Sequence, residues 1–209
     1  MISIDQELIS GLKALSLEPA PERMEKLEQL FGLLQRWNKV FNLTTVTDQK
    51  GFVTLHILDS LTVRPFLHGN RILDVGTGAG FPGLPLAIFE PEQKFVLLDA
   101  SAKKIRFVRQ AALELKLSHV EAIQSRVEQF QPKEKFDTVV TRAFAQVAVG
   151  FDRCRHLIKP GGKFIAMKGK HPKTELETLA MANYQVKPVT VPGLEAERHL
   201  VEIEAPCTP

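Results

Sequence analysis

The stretch DVGTGAGFPG, Asp74–Gly83, decides the fold, because it concentrates four of the chain's 13 glycines in ten residues. The apolar run RILDV (71–75) leads into it, and the apolar stretch FPGLPLAIF (81–89) leads out of it. A glycine-rich turn between a strand and a helix is typical of a nucleotide-binding loop, since glycine adopts positive φ and lets a ligand approach the backbone. The stretch therefore predicts an α/β sheet that binds a ligand at the carboxyl ends of its strands.

Three types of ligand loop can be compared with this stretch. A phosphate-binding P-loop requires a lysine after its last glycine, and none follows here. A dinucleotide loop, G-x-G-x-x-G, fits Gly78, Gly80 and Gly83. The S-adenosylmethionine (AdoMet) loop of class I methyltransferases, an acid followed by x-G-x-G-x-G, fits residues 74–80. Asp74 favours AdoMet, because a carboxylate repels a pyrophosphate and attracts the cationic methionine moiety; a dinucleotide site and a structural turn stay open.

Further apolar runs extend the strand pattern along the chain. They are RILDV (71–75), KFVLLD (94–99), HVEAIQ (119–124), FDTVVT (136–141) and GKFIAMK (162–168). Helical stretches separate the first three, which predicts parallel strands covered on both faces. Two runs in the tail, YQVKPVTV and RHLVEIEA, lie close enough in sequence to pair antiparallel at one edge. We expect the class I AdoMet-dependent methyltransferase fold, a doubly wound, mainly parallel α/β sheet with an antiparallel edge strand.

The chain before this sheet has helical periodicity. Asp5–Leu15 is amphipathic, and Pro21 suits the first position of a second helix. Along that helix apolar residues recur every three or four positions, at Met24, Leu27, Phe31, Leu34, Trp37 and Phe41. A third helix starting near Thr47 places Phe52, Leu55, Leu58 and Leu61 on one face. We expect residues 1–66 to form a helical extension packed on the methyltransferase domain, residues 67–209.

Composition restricts the class of protein and its partners. The chain has 209 residues, 44% of them hydrophobic, and only two cysteines, Cys154 and Cys207, without zinc or disulfide spacing. No run is long enough to cross a membrane, and no secretory signal is present, so we expect a cytoplasmic protein. Residues 151–173 carry seven Lys and Arg against one Asp, a net charge of +6. That asymmetry suggests a polyanionic partner, although a solvated basic surface explains it equally well.

Asp99 ends the second predicted strand, 23 positions after Gly76. An acid at this place commonly accepts hydrogen bonds from ribose hydroxyls, in dinucleotide and AdoMet sites alike. Its alternative role is the N-cap of the helix that begins after Ser101. Asp99 therefore favours a nucleoside ligand without deciding which one.

Several blocks together make a narrower match. They are RWNKVFNLTTVTD (36–48), HILDSL (56–61), ILDVGTGAGFPGLPLAI (72–88), LLDASAKKIRFV (97–108), SRVEQF (125–130), FDTVVTRAFA (136–145) and LIKPGGKFIAMKG (157–169). In these blocks the chain resembles the small-subunit ribosomal RNA guanine-N7 methyltransferases, also called the glucose-inhibited division protein B family. The resemblance runs from about Met24 to Glu204. It implies AdoMet-dependent methylation of N7 of one guanine in 16S rRNA.

The resemblance also implies cofactor contacts at matching positions. Besides Asp74, these are Gly76 and Gly78 at the methionine side, Phe81 beside the cofactor, Asp99 at the ribose, Val127 and Glu128 around the adenine, and Arg142 closing the site. The implied partner is 16S rRNA or the small ribosomal subunit, and we expect a monomer without a metal site. Two alternatives remain: a methyltransferase of the same fold for another RNA, a protein or a small molecule, and a non-catalytic AdoMet-binding assembly factor.

The expected chemistry needs no general base. An Asn/Asp-Pro-Pro-Tyr/Phe motif, found in many enzymes that methylate exocyclic amines, is missing after the fourth strand, where Thr141-Arg142-Ala143-Phe144 stands. Neither cysteine suits the nucleophile of a pyrimidine C5 methyltransferase, since Cys154 lies in a later helix and Cys207 in the tail. Guanine N7 has an in-plane lone pair and no proton to lose. It can attack the sulfonium methyl directly, so the enzyme has to position the two reactants.

The remaining polar candidates have structural alternatives. Arg36 and Lys39 lie off the apolar stripe of the second helix and could contact RNA or simply face solvent. Lys168, Lys170 and His171 follow the fifth strand at the ligand end of the sheet, where we expect phosphate binding. Trp37 and Phe41 are better explained as core residues than as base-stacking residues. His56 and Asp59 could form a hydrogen-bonded pair, for which we favour a structural role.

Overall fold

The computed structural model describes residues 4–177 and 183–206, and its centre is a seven-stranded sheet. The strands are β1 Arg71–Val75, β2 Lys94–Asp99, β3 Val120–Gln124, β4 Phe136–Arg142, β5 Ile158–Lys168, β6 Tyr184–Pro188 and β7 His199–Glu204. Their order is β3-β2-β1-β4-β5-β7-β6. Strands β1 to β5 run parallel, whereas β7 is antiparallel to both β5 and β6. The strand order reverses between β1 and β4, and a ligand crevice is expected at that point.

Helices connect and cover the strands. They are α1 Ile4–Ala14, α2 Pro21–Phe41, α3 Gln49–Leu61, α4 Gly83–Phe89, α5 Ala102–Glu114, α6 Val147–Cys154 and α7 Lys173–Leu176. Helix α3 is α-helical at Gln49–Gly51 and Asp59–Leu61 and π-helical between them, at Phe52–Leu58. Short 3₁₀ turns stand at Arg64–Phe66, Val127–Gln129 and Arg155–Leu157. None of the helices in the described ranges has the length and apolarity of a membrane span.

Each face of the sheet has its own apolar core. Helices α1 to α5 share one cluster with the side chains of Ile72, Leu97 and Val140. Helix α6 packs on the other face, with Leu73, Val139 and Phe164 among others. Side chains alternate along each strand, so both faces are apolar and covered by helices, as expected for a doubly wound sheet.

The predicted fold is confirmed, with most strand bounds displaced by no more than one or two residues. Strands β5 and β6 are the exceptions, since β5 begins at Ile158 rather than Gly162 and β6 ends at Pro188 rather than Val191. The early part of β5 holds Gly161 at φ +71°, and the register with β4 shifts there between Phe136 and Thr138. The strand therefore includes the run Pro160-Gly161-Gly162, which it passes as an irregularity.

The amino-terminal helices differ from the predicted pattern mainly in α3. Nearly every π-helical residue is buried, including Val53 and Ile57, which lie off the predicted stripe. The helix contacts α1, Phe31 of α2 and Phe81 of the glycine loop, so a single apolar stripe does not describe it. Along α2 the fully buried residues are Leu27, Leu30, Leu33 and Leu34. Trp37 and Phe41 pack against the core from partly buried positions, as predicted.

The predicted domain boundary and the two cysteines complete the comparison of sequence with structure. The helices of the first 66 residues share one hydrophobic cluster with the sheet, yet a domain boundary at residue 66 stays a prediction. Cys154 is buried and unpaired, and Cys207 lies outside the described residues.

Candidate cofactor and substrate site

The glycine loop follows β1, and the end of β2 fixes it in place. The amides of Gly76 and Thr77 donate to the carbonyl of Leu98 at 2.8 and 3.0 Å. Gly76, Gly78 and Gly80 have φ of +72°, +60° and +87°, a left-handed backbone that favours glycine. A Cβ on Gly78 would meet no atom nearer than 3.9 Å, so the loop leaves open space at that point. The loop thus forms a cradle that a side chain would fill.

Asp74, in β1, stabilises this loop through two hydrogen bonds. Its Oδ2 accepts hydrogen bonds from Thr77 Oγ1 at 2.6 Å and from the Gly83 amide at 2.8 Å, which ties β1 to the start of α4. Burial of the carboxyl raises its pKa to about 6, although both hydrogen bonds act in the opposite direction. Oδ1 is buried and has no partner among the described residues. One oxygen therefore shapes the loop, and the other keeps its hydrogen-bonding capacity.

Asp99 connects the glycine loop to the start of α5. Its Oδ2 accepts from the Gly78 amide at 3.0 Å, and its Oδ1 accepts from the Ser101 amide at 2.8 Å. Lys104 Nζ lies 3.8 Å from Oδ2. Each carboxylate oxygen can accept a second hydrogen bond, so both remain available to a ligand. The alternative N-cap role of Asp99 is wrong, because the N-cap of α5 is Ser101, the residue whose amide Asp99 accepts from.

A cleft of about 290 Å³ lies at the carboxyl ends of β1, β2 and β4; we call it the cofactor cleft. Its lining includes Gly76, Leu98, Asp99, Ala100, Lys104, Ser125, Val127, Glu128, Ala143, Phe144 and Arg153. Val127 is buried in its 3₁₀ turn, and the half-exposed Glu128 pairs with Arg153 at 3.5 Å. The structure thus brings four predicted cofactor residues, Gly76, Asp99, Val127 and Glu128, to one cleft.

Phe144 is a cleft residue that the sequence analysis did not identify. A Cβ on Gly76 would come within 2.8 Å of Phe144 Cδ2, so the ring rests against the bare glycine. The turn before it holds Ala143 at φ +50°, an uncommon conformation for a residue with a side chain. A single aromatic residue after a strand gives no local signal of this contact. The close approach is visible only once β1 and β4 are adjacent.

Arg142 is not among the described residues that line the cofactor cleft; its guanidinium contacts α3 and lies 5.7 Å from the centre of the Phe81 ring. Its Nη1 donates to the Leu55 carbonyl at 2.7 Å and to Asp59 Oδ2 at 3.1 Å, and Nη2 lies 3.5 Å from His56 Nδ1. The other oxygen of Asp59, Oδ1, accepts from Arg198 Nε at 2.9 Å. His56 and Asp59 are therefore joined through Arg142 rather than to each other. Arg198, which binds the same carboxylate, was also missed, because it lies 139 residues away in sequence.

His56 is buried and neutral. Its Nε2 lies 3.0 Å from Thr44 Oγ1, and its ring stacks on Phe81 with centroids 4.3 Å apart. Burial lowers the pKa of His56 to about 4, and the charge of Arg142 acts in the same direction. Since a guanidinium can only donate, Nδ1 is the acceptor and Nε2 carries the proton. Phe81, predicted to lie beside the cofactor, is a buried residue between the glycine loop and α3.

The five predicted RNA-binding residues fall into two groups. Arg36 and Lys39 are exposed on α2, and Arg36 Nη2 lies 3.8 Å from Glu114. Lys170 and His171 are exposed after β5. Lys168 instead donates to the Ala145 carbonyl at 2.9 Å and to Glu175 Oε2 at 2.7 Å. Its ammonium group holds the turn that contains Phe144, a role that its place in a basic run did not suggest.

Comparisons with known proteins agree with this geometry. A family model described as rRNA small subunit methyltransferase G (GidB) matches residues 23–201. The chain belongs to this family. It is 50% identical to the ribosomal RNA small subunit methyltransferase G of Idiomarina loihiensis, over 87% of this chain and 89% of that protein. The protein of the same name from Methylococcus capsulatus is 47% identical, over 93% and 95% of the two chains.

Solved structures support the fold of this family member. An O-methyltransferase from Bacillus cereus in complex with SAH has a TM-score of 0.63 at 15% identity, over 96% of this chain and 99% of that one. A SAM-dependent methyltransferase from Aquifex aeolicus has a TM-score of 0.56 at 19% identity, over 74% and 92%. Both likenesses concern the fold alone. Together with the family match, they confirm the predictions of a methyltransferase and of the class I fold.

Proposed function

We propose that this chain transfers the methyl group of AdoMet to N7 of a guanine in 16S rRNA. The observation that carries the proposal is the cofactor cleft, where a glycine loop, a strand-end aspartate and the turn after β4 converge. Membership of the methyltransferase G family supports the substrate class. The curated relatives carry small-subunit rRNA in their names, and we extend that substrate to this chain.

The residues of the cleft suit AdoMet. The open space above Gly78 can take the methionine moiety. Asp74, which holds the loop, keeps one buried carboxylate oxygen without a partner among the described residues. Asp99 has lone pairs for two ribose hydroxyls, and Val127 and Glu128 line the same cleft, where we expect the adenine. The cleft lining carries two acidic side chains, Asp99 and Glu128, and three basic ones, Lys104, Arg126 and Arg153, so its charge does not separate AdoMet from a dinucleotide. Membership of the methyltransferase G family favours AdoMet.

AdoMet supplies a methyl group on a sulfonium, the electrophile that guanine N7 can attack. The chain's own residues orient the two reactants. The glycine loop and Phe144 limit where the cofactor can lie, and three acceptors of α3 fix the guanidinium of Arg142. Because N7 has no proton to lose, no residue has to act as a base. Alignment in a preorganised site is the main contribution of the protein.

The RNA surface of this proposal includes Arg36, Lys39, Lys170 and His171, which are exposed. Lys168 contributes through the turn that it holds. An A-form duplex keeps guanine N7 in a deep, narrow groove, so we expect an unpaired or irregular target. We further propose that the protein acts in the cytoplasm and that it is a monomer. Light scattering of the purified protein tests the oligomeric state.

The test is transfer of labelled methyl from AdoMet to rRNA of the small subunit, taken from cells that lack this protein. Naked rRNA, assembled small subunits, transfer RNA and total protein are offered in parallel, and the products are digested to nucleosides. We expect label in 7-methylguanosine from rRNA or the small subunit alone. Label in another nucleoside or in protein would overturn the substrate. Intact AdoMet binding without transfer to any of the four would favour the non-catalytic assembly factor.

A further inference from the structure

The turn between β4 and α6 borders the cofactor cleft. Its Phe144 lines the cleft and rests against Gly76, and Ala143 before it has φ +50°. A residue with a side chain costs free energy in this left-handed conformation, so contacts from outside the turn have to hold it. The position of the Phe144 ring therefore depends on what anchors the following residues, 145–147.

Lys168 and Glu175 anchor this part of the turn. Lys168, the last residue of β5, donates from Nζ to the Ala145 carbonyl at 2.9 Å and to Glu175 Oε2 at 2.7 Å. The same Oε2 accepts from the Val147 amide at 2.8 Å. One carboxylate oxygen thus connects the lysine to the first residue of α6, and the lysine binds the carbonyl two residues earlier. We call Lys168 and Glu175 the clamp.

Glu175 also supplies the acceptor that the N-terminus of α6 needs. The N-cap residue of this helix is Gln146, whose side chain makes no capping hydrogen bond. The first amides of a helix have no acceptor within it, and a carboxylate beside them is favourable to the helix dipole. Partial burial raises the pKa of the Glu175 carboxyl, but the hydrogen bonds from Lys168 and from the Val147 amide outweigh it, so the pKa lies below its usual value. The carboxyl is therefore charged at neutral pH.

We propose that Glu175 is a positioning residue for the cofactor: through Lys168 and the Val147 amide it fixes the turn that places Phe144 against the glycine loop, and so determines the affinity for AdoMet. This inference rests on the proposed function, from which it takes the place of AdoMet in the cofactor cleft. A turn that moved between several positions would have to be ordered when AdoMet binds, and affinity would fall. A clamp that is formed before binding avoids that loss.

The clamp could instead stabilise the fold alone. Its side chains are 18% and 24% exposed, and ion pairs that solvent reaches contribute little to the free energy of unfolding. Its hydrogen bonds to the Ala145 carbonyl and the Val147 amide lie within three residues of Phe144, which favours the cofactor role. Neither residue of the clamp is among the described residues that line the cleft, so the clamp acts through Phe144 rather than by contact with AdoMet.

The test measures AdoMet affinity by calorimetry, and urea unfolding of each variant checks that it is folded. Glu175→Gln keeps the size of the side chain but loses the charge that binds Lys168, and it should bind AdoMet about tenfold more weakly. Lys168→Met should show a similar loss. Lys168→Arg keeps the charge and the donors, and should stay within about twofold of wild type. The double variant Glu175→Gln/Lys168→Met should lose little more than either single variant, because each of them already breaks the clamp.

Lys163→Met is the matched control. Lys163 lies in the same strand as Lys168 and pairs with Glu202 at 3.0 Å, with 28% of its side chain exposed, but this pair joins β5 to β7 and neither residue lines the cleft. Its loss should leave AdoMet affinity unchanged.

Unchanged AdoMet affinity in folded Glu175→Gln would overturn the inference, and so would an equal loss in Lys163→Met. Additive losses in the double variant would also contradict it, because the two residues would then act separately. None of these measurements depends on turnover. If wild type binds AdoMet but transfers no methyl group to RNA, the proposed function fails while the affinities still decide the role of Glu175.

Discussion

Hydrogen bonds around the glycine loop join residues that are near in sequence, whereas those around the carboxylate of Asp59 join residues far apart. Asp74 binds Thr77 and Gly83, 3 and 9 positions away, and Asp99 binds Gly78 at 21. Asp59 binds Arg142 at 83 positions and Arg198 at 139. The first region consists largely of backbone amides in one strand-loop-helix unit, and the second of side chains from three elements. A cofactor loop can thus form locally, but the cluster of Asp59, Arg142 and Arg198 requires the complete fold.

The largest effect is expected from filling the glycine loop. In Gly76→Val a β-branched residue would have to adopt φ +72°, and its Cβ would lie 2.8 Å from Phe144. Left-handed strain and overpacking together should cost about 4 kcal/mol, a thousandfold in the AdoMet dissociation constant measured by calorimetry. Gly32→Ala in α2 is the control, because its Cβ would meet only Arg36 Nη1, at 3.7 Å. Near-normal AdoMet affinity in Gly76→Val would show that the loop does not hold the cofactor.

A smaller loss, in the free energy of unfolding, is expected when Asp59 no longer carries a charge between Arg142 and Arg198. Asp59→Asn removes the buried charge between two guanidinium groups, and loss of one partner of a buried ion pair should destabilise the fold by about 3 kcal/mol. Urea unfolding measures this difference. Lys159→Gln removes an ion pair whose lysine side chain is 42% exposed, and it should cost less than about 1 kcal/mol. Equal losses in the two variants would mean that Asp59 is no more than an ordinary surface partner.

As the pH falls, His56 should lower the free energy of unfolding and Asp74 should raise it. Burial and the neighbouring charge of Arg142 lower the pKa of His56 to about 4, so the unfolded chain binds more protons between pH 6.5 and 4. Stability is therefore lost as the pH falls through this range, by about 3 kcal/mol. His56→Gln should lack this decline. Unfolding free energies of the variant and wild type, measured at several pH values, should converge toward pH 4; parallel curves would contradict a neutral, buried His56.

Asp74 provides the opposite case in the glycine loop. Burial raises the pKa of its carboxyl to about 6, so the native state binds the extra proton between pH 6 and 3.8. Wild type should thus gain about 3 kcal/mol relative to Asp74→Asn as the pH falls through this window. The measurement is again urea unfolding across pH. If wild type instead lost stability relative to Asp74→Asn as the pH fell, the buried charge of Asp74 would have to be stabilised by its surroundings.

The sequence predicted the parts of the site that depend on local order. Positive φ at Gly76 and Gly78 and the acid at the end of β2 follow from a motif of fixed spacing, and the alternation of apolar runs implied the sheet that presents them. Phe144 and Arg198 could not be found in this way, because their contacts depend on strand order and on the antiparallel return of β7. Lys168 shows the same limit: its run of basic neighbours indicated phosphate, but the fold places Glu175 beside it.

The smallest effect should come from Cys154, which belongs to neither region. Burial raises the pKa of its thiol to about 12, and its side chain packs in the core beneath α6. A thiol that stays protonated cannot be a nucleophile at neutral pH. Cys154→Ala should therefore keep the methyl-transfer rate within about twofold and cost only about 1 kcal/mol of stability, the loss expected from one small core truncation. A tenfold slower rate with normal AdoMet affinity would require a covalent step, and direct attack by N7 would have to be abandoned.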